Sequence, residues 1–309
     1  MHLSRINIFS VSTFEYTAVM PFYNSEKTIR DALYSILNQS IKAKSIILVN
    51  DGSTDDSLNV IKDLILENSN IQLLNCELNS GIGTARNLSL KKINHDYVIF
   101  FDSDDLSEVN RAKMHAQMFI DGSNINYVSS IKRYPNSYVR KSINSSFYRV
   151  FQKQELIEKL FLGTSKLDFD FHIPASTLGI EYDLLLRLNG FDSLLRRLED
   201  VDLAIRGADV GANFGFTSEI GVVRLSSHNR TKEPPVEFAA QRYLLRKYMA
   251  GALNSDLKNQ LYFNVLRQLY FEKKYFIFLY HFFIGIFLLK LNSSFLINGF
   301  RRVIHDLRQ

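Results

Sequence analysis

Cysteine is nearly missing from this 309-residue chain: Cys76 stands alone. An intrachain disulfide and a cysteine-based zinc site are therefore excluded, and the chain suits a reducing cytosol. Five prolines and fourteen glycines are too few for a collagen-like or Pro-rich linker architecture. No apolar run reaches the ~20 residues that a membrane-spanning helix requires. The longest, Tyr275 to Leu289, has 15 residues and contains His281. The N-terminal stretch MHLSRINIFSVSTF is interrupted by Asn7, Ser10 and Ser12 and lacks a small-residue cleavage site, so it does not read as a signal peptide. No internal repeat is visible.

What is present points to a folded globular chain. Hydrophobic residues make up 46% and charged residues 22%, which excludes a disordered chain or a low-complexity fibre. A chain of this length buries roughly three quarters of its unfolded surface and folds without covalent staples. The formal net charge of +5 is unevenly spread. From Lys232 onward twelve Lys/Arg face five Asp/Glu, giving the tail +7 and leaving the body −2. That asymmetry suggests a slightly acidic body with a basic appendage for an anionic partner, nucleic acid or an anionic membrane.

Strands and helices alternate through the first 130 residues. Tyr16–Tyr23 reads as a buried strand, and Ser25 is placed to cap a helix with the stripe Ile29, Ala32, Leu33, Ile36 and Leu37. Ser45–Asn50, Ile71–Cys76, Tyr97–Phe101 and Asn126–Ile131 read as further strands. Helices are predicted around Leu58–Ile65, over Ser80–Lys92 and over Ser107–Ile120. Such spacing implies βαβ units and a mostly parallel sheet covered on both faces. Arg133–Ser146 is polar and reads as a surface excursion. A strand over Pro174–Ile180, a helix over Glu181–Leu188, a turn at Gly190, a helix over Asp200–Ala208 and a strand over Ile220–Leu225 are expected to follow. From Glu237 the chain reads as helices, with a loop near Ala250–Ser255.

Ligands of open parallel sheets bind beyond the carboxyl ends of the strands. Three of those ends are polar here: Pro21, Tyr23 and Asn24; Asp51, Gly52 and Ser53; and Asp102, Ser103, Asp104 and Asp105. Three carboxylates within four residues repel one another, and Mg²⁺ or Mn²⁺ would relieve that repulsion while taking substrate phosphates as further ligands. Asp105 alone also fits a helix N-terminus favoured by the dipole. GIGTAR, Gly81 to Arg86, lacks the third glycine of a dinucleotide fingerprint and follows the third strand, so it argues against a dinucleotide site. Its glycines permit close backbone approach, and Arg86 is placed to meet a phosphate or a base. LEDVDLAIR holds Glu199, Asp200 and Asp202, where a carboxylate could be a general base or an ordinary helix start. His228 is either a metal or phosphate ligand or an exposed residue of a polar stretch.

Taken in order, VMPFYNSEKTIRDALYSILNQS, ILVNDGSTDDS, NSGIGTARNLSL, YVIFFDSDD and NGFDSLLRRLEDVDLAIR resemble the inverting family-two glycosyltransferases with the GT-A fold. The resemblance runs from about Tyr16 to Arg230. It implies an α/β fold with a Rossmann-like, mostly parallel central sheet flanked by helices over residues 1–230. The basic, aromatic helical extension over 231–309 would contact acceptor, membrane or another subunit. It implies transfer of a sugar from a nucleotide-sugar, most often a UDP-sugar, to an acceptor hydroxyl with inversion. By the same resemblance Asp51 hydrogen-bonds uracil or ribose, Pro21, Tyr23 and Asn24 flank the base, and Arg86 lies near uracil or diphosphate. Asp102, Ser103 and Asp104 form the DxD motif, with Asp102 and Asp104 as ligands of Mn²⁺ or Mg²⁺. Asp200 is the expected catalytic base, and His228 approaches the metal or diphosphate. The acceptor is expected to be a glycan or a lipid-linked glycan of bacterial surface polysaccharide synthesis. That places the chain in the cytoplasm at the inner face of the cytoplasmic membrane, in peripheral contact with it and without nucleic acid as a partner. One departure is that the usual tandem aspartates after the second strand stand here as Asn50 and Asp51. Two alternatives remain. A sugar nucleotidyltransferase would show a Gly-rich loop after the first strand, where PFYNSEKTI has none. A non-catalytic glycan- or nucleic-acid-binding protein would leave FDSDD and LEDVDL without a shared purpose.

Overall fold

The structure is a computed structural model. It describes residues 11–132, 146–153, 155–157, 173–225, 234–249, 262, 266, 269 and 275–287. The described residues fall into two compact units. One is drawn from residues 1–152, 169–194 and 199–230, the other from 153–168, 195–198 and 231–309.

The first unit is built on a nine-stranded sheet. Its strands are β1 (Tyr16–Phe22), β2 (Ser45–Asn50), β3 (Ile71–Asn75), β4 (Tyr97–Phe100), β5 (Asp105–Ser107), β6 (Ile125–Lys132), β7 (Ser146–Val150), β8 (Leu178–Glu181) and β9 (Asn213–Arg224). They lie in the order β3-β2-β1-β4-β8-β6-β9-β5, with β7 paired to β9 off that path. β3, β2, β1 and β4 run parallel to one another, as do β6 and β9. β8, β5 and β7 join antiparallel through ladders of three to five residue pairs. The sheet is thus mostly parallel, with antiparallel strands set into its second half.

β1 is buried at all seven positions, as expected of a central strand covered on both faces. Pro21 lies inside it without breaking the ladder. The pairing with β4 ends at Val19–Phe100, and only the β2 side continues to Pro21–Val49. A residue lacking N–H is tolerated where one neighbour has already dropped away.

α1 (Ile29–Leu37) turns Ile29, Ala32, Leu33 and Ile36 inward, and α4 (Arg111–Ile120) buries Ala112, Ala116 and Phe119. These side chains meet Tyr16, Met20, Ile46, Leu48, Ile99 and Phe101 of the sheet in one core. Phe14, Tyr97 and Phe119 stack at its edge, with ring centroids 4.5–5.9 Å apart. On the other side of β4, Phe100 meets Phe191 edge-on at 5.2 Å.

Several local expectations change. The helix around Leu58–Ile65 is a 3₁₀ turn, Asn59–Ile61, leading into the short α2 (Lys62–Glu67). The helix over Ser80–Lys92 is α3 (Ile82–Ser89) ending in a 3₁₀ turn, Leu90–Lys92. The helix expected from Ser107 begins only at Arg111, because Asp105–Ser107 is taken up by β9 as a strand. β9 starts seven residues before the expected Ile220. Ser146 opens β7, and residues 133–145 of the expected excursion lie outside the described residues. Beyond β8 come α5 (Tyr182–Arg187), the turn at Gly190 with φ +65°, and α6 (Glu199–Asp209).

In the second unit, α7 (Pro234–Met249) buries Ala240, Leu244 and Tyr248, one stripe at i, i+4, i+8. α8 (Tyr275–Phe287) carries an apolar sequence throughout. No helix among the described residues is long and apolar enough to cross a membrane.

Candidate functional site

The loops after β1, β2 and β4 and the start of α3 are tied together by polar side chains. Asn24, at φ +48°, donates its backbone N–H to Ser53 Oγ (3.1 Å), while its Oδ1 accepts from the Thr54 backbone N–H (2.8 Å). Asparagine tolerates this left-handed conformation because its short amide bonds locally. Tyr23 beside it is 45% exposed, a free-standing ring on the rim.

Ser25 does not cap α1 with its side chain. Its carbonyl accepts the backbone N–H groups of Thr28 and Ile29 (3.0 and 2.9 Å), and its hydroxyl is shared with Ser103 Oγ at 2.8 Å. That bond fixes the loop after β1 against the loop after β4.

Asp51 is 3% exposed. Its Oδ1 accepts from the Ser80 backbone N–H (2.8 Å) and hydroxyl (2.7 Å), and its Oδ2 from the Gly81 N–H (3.0 Å). A carboxylate has about four acceptor sites, and three are used here to satisfy donors at the start of α3. The turn needs Gly52: at φ +72° a Cβ would stand 2.7 Å from the Leu78 carbonyl carbon. Asn50 accepts the Ser53 N–H at 2.9 Å and donates to Asn75 Oδ1 at 3.1 Å. An amide thus fills the first position of the Asn50–Asp51 pair with both donor and acceptor in use.

Arg86 is the centre of the arrangement. It is 1% exposed. One terminal nitrogen donates to Glu199 Oε1 at 2.7 Å and the other to Asp102 Oδ1 at 2.9 Å. Its guanidinium carbon lies 5.2 Å from the Phe191 ring centroid and 5.9 Å from that of Phe100. A buried guanidinium is tolerated only when paired, and two carboxylates from segments 97 residues apart supply the pairing. Asn87, next along α3, donates to the Phe191 carbonyl (2.7 Å) and accepts the Phe191 N–H (2.8 Å), holding that ring in place.

Asp102, Asp104 and Asp105 bring one carboxylate oxygen each to within 4.8 Å of one another. Asp102 and Asp104 are partly exposed, Asp105 is buried, and Ser103 between them is buried. Asp105 does not start a helix; it begins β5 and turns its carboxylate into the cluster. Arg111 lies behind it. Burial pushes the Arg111 guanidinium down to about 10, against the pull of Asp105 and Asp102. Hard oxygen donors converging at this spacing are the set that a hard divalent cation takes, so the residues fit such an ion.

Glu199 and Asp200 open α6. Burial raises the Glu199 carboxyl, with the adjoining Asp200 charge adding to it and Arg86 opposing. Burial also raises Asp200, against the Val201 N–H at 2.8 Å, Arg86 and the Ala175 N–H at 3.3 Å. Asp202, also expected near the site, points into the protein, fully buried, and pairs with Arg206 Nε at 2.7 Å. His228 lies outside the described residues.

The structure thus brings Asp102, Asp104, Glu199, Asp200 and Arg86 together, and sets Tyr23, Asn24, Asp51 and Ser103 in the adjoining loops. Pro21 is inside the β1 ladder. Sequence reasoning counted Asp105 among the three carboxylates of FDSDD but named only Asp102 and Asp104 of them as metal ligands, whereas the structure sets all three carboxylates together. Sequence reasoning missed Ser25, Ser80 and Asn87, whose partners are remote in sequence.

The family model for glycosyl transferase family 2 matches residues 17–174. The chain belongs to glycosyl transferase family 2. An uncharacterized glycosyltransferase of Haemophilus influenzae is 40% identical over 87 residues, 28% of this chain and 35% of that protein. The chain therefore spans only about a third of that relative's length. Among solved structures, residues 1–349 of Staphylococcus aureus TarS with UDP-GlcNAc align at a TM-score of 0.60 and 19% identity, over 83% of this chain and 73% of that one. The Pyrobaculum calidifontis mannosyltransferase PcManGT, with GDP-Man and Mn²⁺, aligns at a TM-score of 0.57 and 16% identity, over 89% and 76%. At these identities the likeness is one of fold. It agrees with the family-2 sheet and helices described above.

Proposed function

We propose that this family-2 chain is an inverting glycosyltransferase that moves a sugar from a nucleoside-diphosphate sugar, of the UDP type, to an acceptor hydroxyl. The observation that carries the reading is the bridge made by Arg86. It joins Asp102 of the carboxylate cluster to Glu199 of the Glu199–Asp200 pair, so that a diphosphate-facing group and a proton acceptor share one rim.

In this reading Tyr23 offers an aromatic face to the base, and Asn24 and the remaining acceptor site of Asp51 face the nucleoside. Asp102, Asp104 and Asp105 would hold Mn²⁺ or Mg²⁺. When bound, that ion supplies positive charge to the departing nucleoside diphosphate. Arg86 keeps Asp102 and Glu199 at fixed positions, so they need not reorganise during the reaction. Asp200 takes the proton of the acceptor hydroxyl. Its upward-shifted carboxyl is a stronger base than an ordinary surface aspartate. The acceptor oxygen bonds to the anomeric carbon on the face opposite the leaving diphosphate, so a single displacement inverts that centre, and one base suffices. The UDP-GlcNAc bound by TarS and the GDP-Man and Mn²⁺ bound by PcManGT support a nucleotide-sugar donor and a divalent ion. A lipid-linked glycan acceptor in surface polysaccharide synthesis follows from the sequence resemblance.

The test is nucleoside-diphosphate release from a panel of UDP- and GDP-sugars with Mn²⁺ present. Asp200→Asn is expected to lower turnover by about 10²–10⁴-fold, the contribution of a general base, while UDP still raises the melting temperature of the variant. Turnover within a few-fold of wild type would remove Asp200 from the mechanism.

A further inference from the structure

α8 exposes an apolar face. Phe276 is 90% exposed, Tyr280 64% and Phe283 52%, and Ile277 and Leu279 are each about half exposed. At 100° per residue these five positions share one side of the helix. The opposite side is engaged within the same unit. Tyr262 donates its hydroxyl to the His281 carbonyl at 2.7 Å, and its ring meets the His281 ring edge-on at 6.5 Å. No charged residue interrupts Tyr275–Phe287. Monomeric proteins rarely leave a contiguous patch of large apolar side chains in water without a partner for it.

Charge identifies that partner. Arg242 and Arg246 of α7 lie close enough to α8 to depress the His281 imidazole, after burial, which has the larger effect. Arg246 and Lys247 are exposed. In the sequence Lys273 and Lys274 stand immediately before α8, and Lys290 stands three residues after it. An apolar, aromatic helix face bordered by cations matches the boundary between anionic headgroups and acyl chains. The uncharged run Tyr275–Leu289 has 15 residues, about 22 Å as a helix, short of the roughly 30 Å hydrocarbon core. The helix therefore suits lying in the interface plane and does not suit crossing.

We infer that the exposed face of α8, through Phe276, Ile277, Leu279, Tyr280 and Phe283, docks the chain onto an anionic lipid bilayer, with the cations of α7 and those flanking α8 meeting the headgroups. The inference does not depend on the glycosyl-transfer reading, since none of these residues belongs to the carboxylate site.

The test is flotation of the full chain with vesicles of phosphatidylcholine alone and of phosphatidylcholine with phosphatidylglycerol. Wild type is expected to float with the anionic vesicles, far less with the neutral ones, and less as salt rises. Phe276→Ser/Tyr280→Ser/Phe283→Ser is expected to reduce the bound fraction at least about tenfold, the loss of most interfacial apolar area. Arg246→Glu/Lys247→Glu is expected to weaken binding to anionic vesicles only. Phe276→Glu, at a nearly fully exposed position, serves should the triple variant fail to fold. Failure of wild type to float with anionic vesicles overturns the inference, as does undiminished floating of Phe276→Glu. So does a wild-type dimer in sedimentation velocity that the apolar substitutions convert to monomer while lipid binding stays unchanged. In that case a second copy of the chain, not lipid, covers the face.

Discussion

Replacing Arg86 by methionine should be the most informative single change to the site's architecture. Methionine keeps the length and apolar bulk of the side chain but removes the charge and both donors. Glu199 and Asp102 then lose bonds of 2.7 and 2.9 Å, and Phe191 and Phe100 lose the guanidinium beside their rings. Breaking a buried ion pair by removing one partner costs about 3–5 kcal/mol. For a unit of this size, that corresponds to a fall in melting temperature of roughly 6–20 °C. Urea unfolding followed by far-ultraviolet circular dichroism reads the difference, with the slope unchanged if the unfolded state is unaffected.

The pH dependence sharpens the test. Glu199 is already raised despite Arg86, and removing the cation raises it further. A carboxyl raised in the folded state withdraws stability as pH climbs above its unfolded value, because the native state then binds more protons than the unfolded one. The deficit of Arg86→Met should therefore be largest near pH 8 and shrink toward pH 5.5. A deficit below about 1 kcal/mol, or one that grows on acidification, would refute the claim that Arg86 is the buried counter-charge of the site.

Other consequences follow from the same packing. His115 is fully buried, with Nδ1 donating to Asn126 Oδ1 at 2.5 Å and Arg111 Nε donating to Nε2 at 3.4 Å. Burial, aided by Arg111, lowers its imidazole from 6.5 to about 3. Its contribution to stability is complete above the unfolded value and is lost as pH falls below it. Between pH 7.5 and pH 5 wild type should lose about 2 kcal/mol that His115→Gln does not; parallel stability curves would count against this. Tyr127 is 1% exposed, and its hydroxyl has no hydrogen-bond partner among the described residues. Tyr127→Phe removes an unsatisfied buried group and should be neutral or stabilising by up to about 1 kcal/mol, read as the urea midpoint; a clear loss would reveal an interaction at that hydroxyl.

The first half of the sheet was legible because each strand is a short apolar block and each helix repeats at helical spacing. Of the stripe Ile29, Ala32, Leu33, Ile36 and Leu37, the first four are buried and Leu37 is half-buried. β5 was not legible. Three residues carry no period, and β5 exists only because Val222–Arg224, more than a hundred residues later, offers an edge. β7 hides in a polar stretch, and the first half of β9 hides behind Asn213 and Gly215, residue types depleted in strands. At the site, motif chemistry was readable residue by residue, but its partners were not. That Arg86 would bind Glu199, or that Asp51 would be occupied by Ser80 and Gly81, depends on through-space neighbours 113 and about 30 residues away.

Calorimetric titration of UDP into the protein tests the central claim most directly, run with Mn²⁺ and again with the metal chelated, for wild type and for Asp104→Asn. The account predicts binding by wild type that weakens at least about tenfold on chelation, a difference near 1.4 kcal/mol, and no metal-dependent gain for Asp104→Asn. Equal UDP affinity with and without the ion, in both proteins, would contradict it.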